Sequence, residues 1–144
     1  EKAALVASRH PGAIVLAADT VVAVGRRILP KAEDEATART CLALLSGRRH
    51  RVLTAVALVD ADDRLRERLS ESIVTFQRLQ PADVDWLIGR GDWQGKAGGY
   101  AIQGLGAVFV QSIDGSFSGV VGLPLAETSQ LLRAAGLPLW AGAA

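Results

Sequence analysis

The stretch AIVLAADTVVAVGRRIL, residues 13–29, combines a continuous apolar run, a carboxylate and a turn. Residues 13–18 are apolar throughout and of strand length, which predicts a strand buried on both faces. Asp19 would then stand at the end of this buried strand. The apolar residues on either side of Gly25 predict a hairpin, with Lys31 on the loop that follows it. The stretch therefore predicts a sheet whose first strand ends in a carboxylate.

The rest of the chain mixes helical and strand patterns without a strict β-α-β alternation. Helices are predicted at residues 1–9, 33–45, 81–88 and 125–135, and strands at 52–59, 69–79, 100–102 and 107–113. This mixture favours the α/β class with a mixed sheet.

Length and composition bound the classes of protein to consider. The 144 residues suit one domain, with 49% hydrophobic and 22% charged side chains. Because 16 basic and 15 acidic side chains leave a net charge of only +1, we expect no nucleic-acid partner. No apolar run approaches the roughly 20 residues that a membrane-spanning helix needs, so we also expect no membrane partner.

The cysteine content and the chain ends suggest further properties. The single cysteine, Cys41, has no partner for a disulfide, which favours a reducing compartment and hence a cytoplasmic location. The chain begins at Glu1 in the middle of a helical pattern, so we expect that it is a fragment or a trimmed product. We expect one domain over residues 1–137 and a loose tail over 138–144.

The segment KAGGYAIQG, residues 96–104, has the composition of a binding site. Lys96 beside glycines offers a positive charge and accessible backbone N–H groups, which together suit phosphate oxygens. Gln103 adds a donor and an acceptor that suit a base edge or a bound water. The segment therefore predicts a phosphorylated small molecule as ligand. The alternative is a glycine-rich turn with a solvated lysine.

Four other features stand in a fixed order around this segment: ADTVV at 18–22, Lys31, SGRRHRVLT at 46–54 and GSFSGVVGLPL at 115–125. Together the five resemble the Maf family of nucleoside triphosphate pyrophosphatases, from about residue 2 to about residue 137. The resemblance implies a curved mixed sheet flanked by helices, with a central cleft between two lobes, of the Maf/ITPase-like type.

The resemblance also implies catalytic roles. Asp19 matches the carboxylate that the family is proposed to use for catalysis, where it would bind Mg²⁺ or Mn²⁺ or take a proton from the attacking water. The chain has three lysines in all, and each falls at a lysine position of the family's active site. Lys31 and Lys96 would act in catalysis and Lys2 in substrate binding. The alternatives are a turn cap for Asp19 and solvated side chains for the lysines.

Other residues would bind the substrate. Gln103 resembles the branch of the family that prefers dTTP and UTP, whereas the branch acting on 7-methyl-GTP typically carries Glu there. Ser116 and Ser118 lie in a loop before the last helix, where hydroxyls can face an anion, and the alternative is a plain loop with a helix cap. His50 is predicted to be a hydrogen-bonded structural residue rather than a proton shuttle.

The chain also departs from the family pattern. Gly95 stands where many relatives carry Asp, and Gly119 stands where many carry Asn, so each change removes a polar anchor. The family's Ser-x-Ser-Pro-Arg-Arg phosphate-binding loop has no counterpart in this sequence. These differences affect the expected positioning of the substrate more than the expected reaction class.

The sequence thus predicts an enzyme that converts dTTP or UTP to the monophosphate and pyrophosphate with a divalent metal cation. One alternative is a pyrophosphatase for modified nucleotides such as 7-methyl-GTP. The other is a nucleotide-binding regulator of septum formation without catalytic activity. The expected partner is a nucleoside triphosphate. The sequence leaves open whether the protein forms a homodimer.

Overall fold

The computed structural model describes residues 1–140. The elements follow one another in this order: α1 (Lys2–Arg9), β1 (Val15–Val24), β2 (Arg27–Leu29), α2 (Glu35–Leu45), β3 (Arg49–Val59), β4 (Leu65–Phe76), α3 (Pro81–Arg90), a 3₁₀ helix (Leu105–Phe109), β5 (Val110–Asp114), α4 (Phe117–Val121) and α5 (Leu125–Ala134). The predicted α/β class is confirmed. Residues 138–140 of the predicted tail follow α5, and residues 141–144 lie outside the described residues.

The sheet has the strand order β2-β1-β3-β4-β5, and every pair among these described strands is antiparallel. The long β3/β4 hairpin forms its centre, with Arg49 opposite Thr75 and Val59 opposite Leu65. The register shifts between Thr75 and Phe76, and such irregularities bend a sheet. The predicted curved sheet with flanking helices is confirmed.

The strand β1 is paired differently along its two edges. One edge pairs with β3 from Val15 to Ala23, whereas the other edge pairs with β2 only from Val22 to Val24. Among residues 1–140, no strand therefore pairs with the second edge of residues 15–21. This open edge leaves backbone and side chains accessible at the position of Asp19.

The prediction of a strand over 13–18 that ends at Asp19 was wrong. The strand β1 runs from Val15 to Val24, so Asp19 lies in its middle, and only Val22–Val24 are fully buried. The apolar run at residues 13–18 suggested a strand buried on both faces. In the structure, no strand among the described residues covers one edge of this part of β1. Small alanines there are only partly covered.

Helices cover both faces of the sheet. Side chains alternate between the faces of a strand, so Val56 and Leu58 face one way and Val59 faces the other. The pair Val56 and Leu58 packs with Leu131 of α5, whereas Val59 packs with Ala3 and Ala7 of α1. The largest core cluster joins α2 and α3 to the centre of the sheet, through Leu42, Leu45, Leu87, Val52, Val74 and Phe76.

Local signals explain the helix ends. Asp34 begins α2 by accepting a hydrogen bond from the Thr37 amide at 2.7 Å. A reciprocal Gln80–Asp83 cap begins α3, and Gly91 at φ 75° ends it. No helix within residues 1–140 has both the length and the apolar character needed to cross a membrane.

The region between α3 and α5 differs most from the sequence prediction. Residues 100–102 do not form a strand; instead the Gly104 amide donates to the Ala101 carbonyl and closes a turn. Residues 105–109 form a 3₁₀ helix before β5 begins at Val110. The Asp92 carboxylate accepts a hydrogen bond from the Leu105 amide at 2.6 Å, which supports the turn. The short helix α4 was not predicted.

Candidate active site

A cavity of about 270 Å³ lies beside the open edge of β1, with the 95–103 segment and the end of α4 around it. The cavity is lined by five of the residues that the sequence predicts for catalysis or substrate binding: Lys2, Asp19, Lys31, Lys96 and Gln103. We call this cavity the lysine cleft. Helix α1, strand β1 and the loops at residues 31 and 96–104 thus bring together side chains that are far apart in sequence.

Backbone pairing fixes the positions of Lys31 and Lys96. Lys31 forms an antiparallel bridge with Ala97. The Ala32 amide donates to the Lys96 carbonyl at 3.0 Å, and the Gly95 amide donates to the Ala32 carbonyl at 2.8 Å. Neither lysine forms an ion pair with another residue within 1–140. The backbone segments that carry these two lysines are therefore held side by side, and both ammonium groups are available to a ligand.

The glycines of the 96–104 segment allow this close approach. Gly98 has φ +72°, a conformation that L side chains rarely adopt. A Cβ atom at Gly98 would lie 3.1 Å from Cγ1 of Val22 on β1. Only glycine thus lets the segment turn and lie directly against β1.

Asp19 supplies a carboxylate on the face of β1 that carries Ala17, which packs beside α1. The Asp19 side chain is exposed, and its Oδ1 accepts a hydrogen bond from the Thr20 amide at 3.1 Å. Residues 1–140 contain no group of three or more His, Cys, Asp or Glu side chains arranged to hold a metal ion. Asp19 is the one acidic residue among those that line the lysine cleft. Among the residues that line the lysine cleft, Asp19 is therefore the one carboxylate that could hold a metal ion.

A buried hydrogen bond joins the lysine cleft to the core. Tyr100 lines the cleft, and its hydroxyl lies 2.6 Å from Nε2 of His50 on β3. Both rings pack edge-to-face with Phe76. Burial lowers the pKa of His50 to about 4 and raises the pKa of the Tyr100 hydroxyl. A neutral, buried imidazole with this contact fits the structural interpretation of His50.

Ser116 and Ser118 lie outside the residues that line the lysine cleft. The Ser116 hydroxyl accepts from the Gly119 amide at 3.0 Å and so caps α4. The Ser118 hydroxyl accepts from the Leu125 amide at 3.0 Å, at the start of α5. Both hydroxyls therefore hold the loop itself together. Their predicted contact with substrate stays a prediction.

Sequence reasoning gave no role to Thr20, Thr54 or Tyr100, although each lies in a quoted motif. Thr20 and Tyr100 line the lysine cleft, and Thr20 is directly opposite Thr54 in the β1/β3 ladder. Their hydroxyl oxygens are 3.0 Å apart. Local patterns in the sequence predict strands near both threonines, but the register that places Thr20 opposite Thr54 is set by tertiary structure.

The fold and the lysine cleft define an α/β domain with a concave, positively charged site, of the kind that suits a small polyanion. The sequence matches the Maf-like protein family over residues 1–135, and the chain belongs to this family.

Several relatives cover almost the whole chain. It is 63% identical over 137 residues to a dTTP/UTP pyrophosphatase of Novosphingobium aromaticivorans, covering 95% of this chain and 68% of that protein. It is also 63% identical over 131 residues to a dTTP/UTP pyrophosphatase of Paramagnetospirillum magneticum, covering 91% of this chain and 69% of the relative. A third dTTP/UTP pyrophosphatase, from Gluconobacter oxydans, is 63% identical over 88% of this chain and 60% of its own length. The chain thus spans about two thirds of the length of these relatives.

Proposed function

We propose that this protein hydrolyses dTTP and UTP to the nucleoside monophosphate and pyrophosphate. The observation that carries the proposal is the lysine cleft, which is lined by Lys2, Lys31 and Lys96 and by a single carboxylate, that of Asp19. The names of the relatives support the choice of substrate.

The three lysines would bind the triphosphate. In the reaction, a water oxygen forms a bond to the α-phosphorus while the bond from that phosphorus to the bridging oxygen of the leaving pyrophosphate breaks. Negative charge grows on pyrophosphate, and fixed cations stabilise such charge most where it develops. Lys31 and Lys96, held on paired backbone segments, are suited to that role. Lys2 at the start of α1 would bind the same anion from the other side of the cleft.

Asp19 would take the proton that the attacking water loses. Asp19 is exposed and lines the lysine cleft, so its carboxylate oxygens are accessible to a water that attacks a bound nucleotide. The same carboxylate would hold a divalent cation, Mg²⁺ or Mn²⁺, together with substrate phosphates, since Mg²⁺ is commonly bound by one or two carboxylates plus phosphate oxygens. Such a cation supplies positive charge to the phosphates when bound.

Gln103 would read the base. It lines the lysine cleft and is exposed, so its amide can donate and accept hydrogen bonds with a pyrimidine edge. Ser116 and Ser118 would contribute to substrate binding through their hydroxyl hydrogens, but less than the lysines do, because both hydroxyls also hold the loop together. We also propose a homodimeric state. Light scattering tests the homodimer.

The proposal is tested with a panel of nucleotides and Mg²⁺, in which pyrophosphate and orthophosphate are measured separately. We expect pyrophosphate from dTTP and UTP, with a higher kcat/KM than for 7-methyl-GTP. A preference for 7-methyl-GTP would favour the modified-nucleotide alternative, and nucleotide binding without turnover would favour a regulator.

The Gln103→Glu variant tests the role of Gln103 separately. An acceptor-only carboxylate should lower kcat/KM for dTTP and UTP relative to guanine nucleotides. The matched control is Gln111→Glu, which makes the same change at an exposed position on β5. An unchanged substrate ratio in Gln103→Glu would show that Gln103 does not read the base.

A further inference from the structure

Two walls of the lysine cleft are joined by one buried side chain. Thr20 on β1 lines one wall, and Val120 and Val121 at the end of α4 line the other. Thr54 on β3 lies between them, fully buried and outside the residues that line the cleft. Its hydroxyl oxygen is 3.0 Å from the Thr20 hydroxyl oxygen and 2.7 Å from the Gly119 carbonyl oxygen.

The chemistry of the acceptor fixes the direction of both hydrogen bonds. A carbonyl oxygen only accepts, so Thr54 must donate its one hydroxyl hydrogen to Gly119. Thr54 then has no hydrogen left for Thr20, and Thr20 must donate to Thr54. The order is therefore Thr20 hydroxyl to Thr54 hydroxyl to Gly119 carbonyl. Thr20 keeps only acceptor capacity for anything else that it contacts.

Close packing supports the same connection. A Cβ atom at Gly119 would lie 2.6 Å from the Ser70 hydroxyl oxygen on β4, so α4 sits directly on the sheet at this point. Gly119, where the family resemblance implies that a polar side chain is missing, is thus the residue whose backbone carbonyl accepts the hydrogen bond from Thr54.

We propose that Thr54 is a positioning residue for the hydrolysis proposed above. By bonding to both Thr20 and Gly119, it sets the spacing of the two cleft walls, and hence the position of the α-phosphorus relative to Asp19. It also orients the Thr20 hydroxyl as a hydrogen-bond acceptor, which suits a water or another donor and does not suit a phosphate oxygen. The inference rests on the proposed function.

The test compares Thr54→Val, Thr54→Ser, Thr20→Val and the double valine variant, each corrected for its folded fraction by circular dichroism. With UTP we expect Thr54→Val to lower kcat about 10-fold, since small misplacements of reacting groups cost this much or more. KM should change less than kcat because the lysines are untouched. Thr54→Ser keeps both hydrogen bonds and should recover most of kcat.

The kcat of the double variant distinguishes a positioning role from a loss of folding. If Thr20 and Thr54 act as one chain, the double valine variant should lose little more kcat than Thr54→Val alone. The control is Thr75→Val, which makes the same change at a half-buried position of β4 away from the cleft. If Thr54→Val does not fold, the same comparison of kcat is made between Thr20→Val and Thr20→Ser.

The inference is overturned if the valine variants at both positions keep kcat within about twofold, or if Thr54→Ser is as impaired as Thr54→Val. Additive losses in the double variant would also overturn it. If the unsubstituted protein releases no pyrophosphate from UTP or dTTP, the proposed function has failed and this inference fails with it.

Discussion

The lysine cleft and the serine loop (residues 115–125) both have sequences suited to binding an anion, but their polar groups are in different states. In the lysine cleft, Lys31 and Lys96 have no ion-pair partner within residues 1–140. In the serine loop, Ser116 and Ser118 already accept hydrogen bonds from backbone amides. Among residues 1–140, the two ammonium groups are available to a ligand. The two hydroxyls are fixed within the loop, and because they lie 3.2 Å apart and one can donate to the other, they keep fewer hydrogens to donate to an anion.

This difference separates residues that bind from residues that hold the site in shape. Removing an uncompensated cation should affect turnover and leave stability almost unchanged. Removing a hydroxyl that caps a helix should affect stability first. The variants below test this distinction by measuring both quantities for each change.

The largest effect is expected for Lys96→Ala. Loss of one electrostatic stabiliser should lower kcat by roughly 10²-fold or more, with little change in melting temperature because the side chain has no protein partner. Arg78→Ala, which removes an exposed cation away from the cleft, is the control. Turnover close to that of the unsubstituted protein in Lys96→Ala would remove Lys96 from the mechanism.

The core behind the cleft should respond to pH through His50. Its pKa is about 4 when folded, against an ordinary value of 6.5, so between these values the unfolded chain binds a proton that the folded protein does not. Stability should therefore fall as the pH falls through this window, by up to about 3 kcal/mol from this residue. Denaturant titrations from pH 7 to pH 4 measure this loss.

Two variants separate the contribution of His50 from that of other groups. His50→Gln should reduce the pH dependence of stability over this window, whereas His10→Gln, at an exposed position, should leave it unchanged. Equal pH dependence in both variants would show that the acid loss arises elsewhere.

A smaller effect is expected for Gly98→Ala. A side chain at φ +72° is strained by about 1 to 2 kcal/mol, and the new Cβ would lie 3.1 Å from Val22. Gly12→Ala is the matched control, because Gly12 has φ +83° with nothing within 4 Å of a Cβ. We expect the melting temperature to fall further in Gly98→Ala. Equal decreases would show that the contact with Val22 does not matter.

The smallest effect on catalysis is expected for Ser116→Ala. Loss of this cap should lower stability by about 1 kcal/mol and lower kcat/KM less than Lys96→Ala does. Ser8→Ala removes a hydroxyl bonded to a helix carbonyl far from the loop and serves as control. A loss of kcat/KM as large as that of Lys96→Ala would mean that Ser116 contacts the substrate directly.

The sequence predicted the elements with strong local signals. Helix α2 follows from its cap at Asp34, and the β3/β4 hairpin follows from two strand-like runs around a polar turn. The clustering of Lys2, Asp19, Lys31, Lys96 and Gln103 was predicted through the family resemblance, and these residues line one cavity. Their chemical roles stay predictions.

Other features depended on contacts distant in sequence. Asp19 lies within β1 rather than at its end, because the pairing of β1 with β3 continues past Asp19 to Ala23. The pairing of Thr20 with Thr54 and of His50 with Tyr100 needs a register and a turn that no local pattern specifies. The short helix α4 is set by packing on β3 and β4 more than by its own five residues.

The central claim is that water attacks the α-phosphorus of a nucleotide held in the lysine cleft. The most direct measurement is turnover of UTP in water enriched in the heavy oxygen isotope, followed by mass spectrometry of both products. The account predicts the label in the monophosphate, unlabelled pyrophosphate, and a kcat that is lower by roughly 10²-fold in Asp19→Asn. Label in pyrophosphate, or release of orthophosphate in place of pyrophosphate, would contradict it.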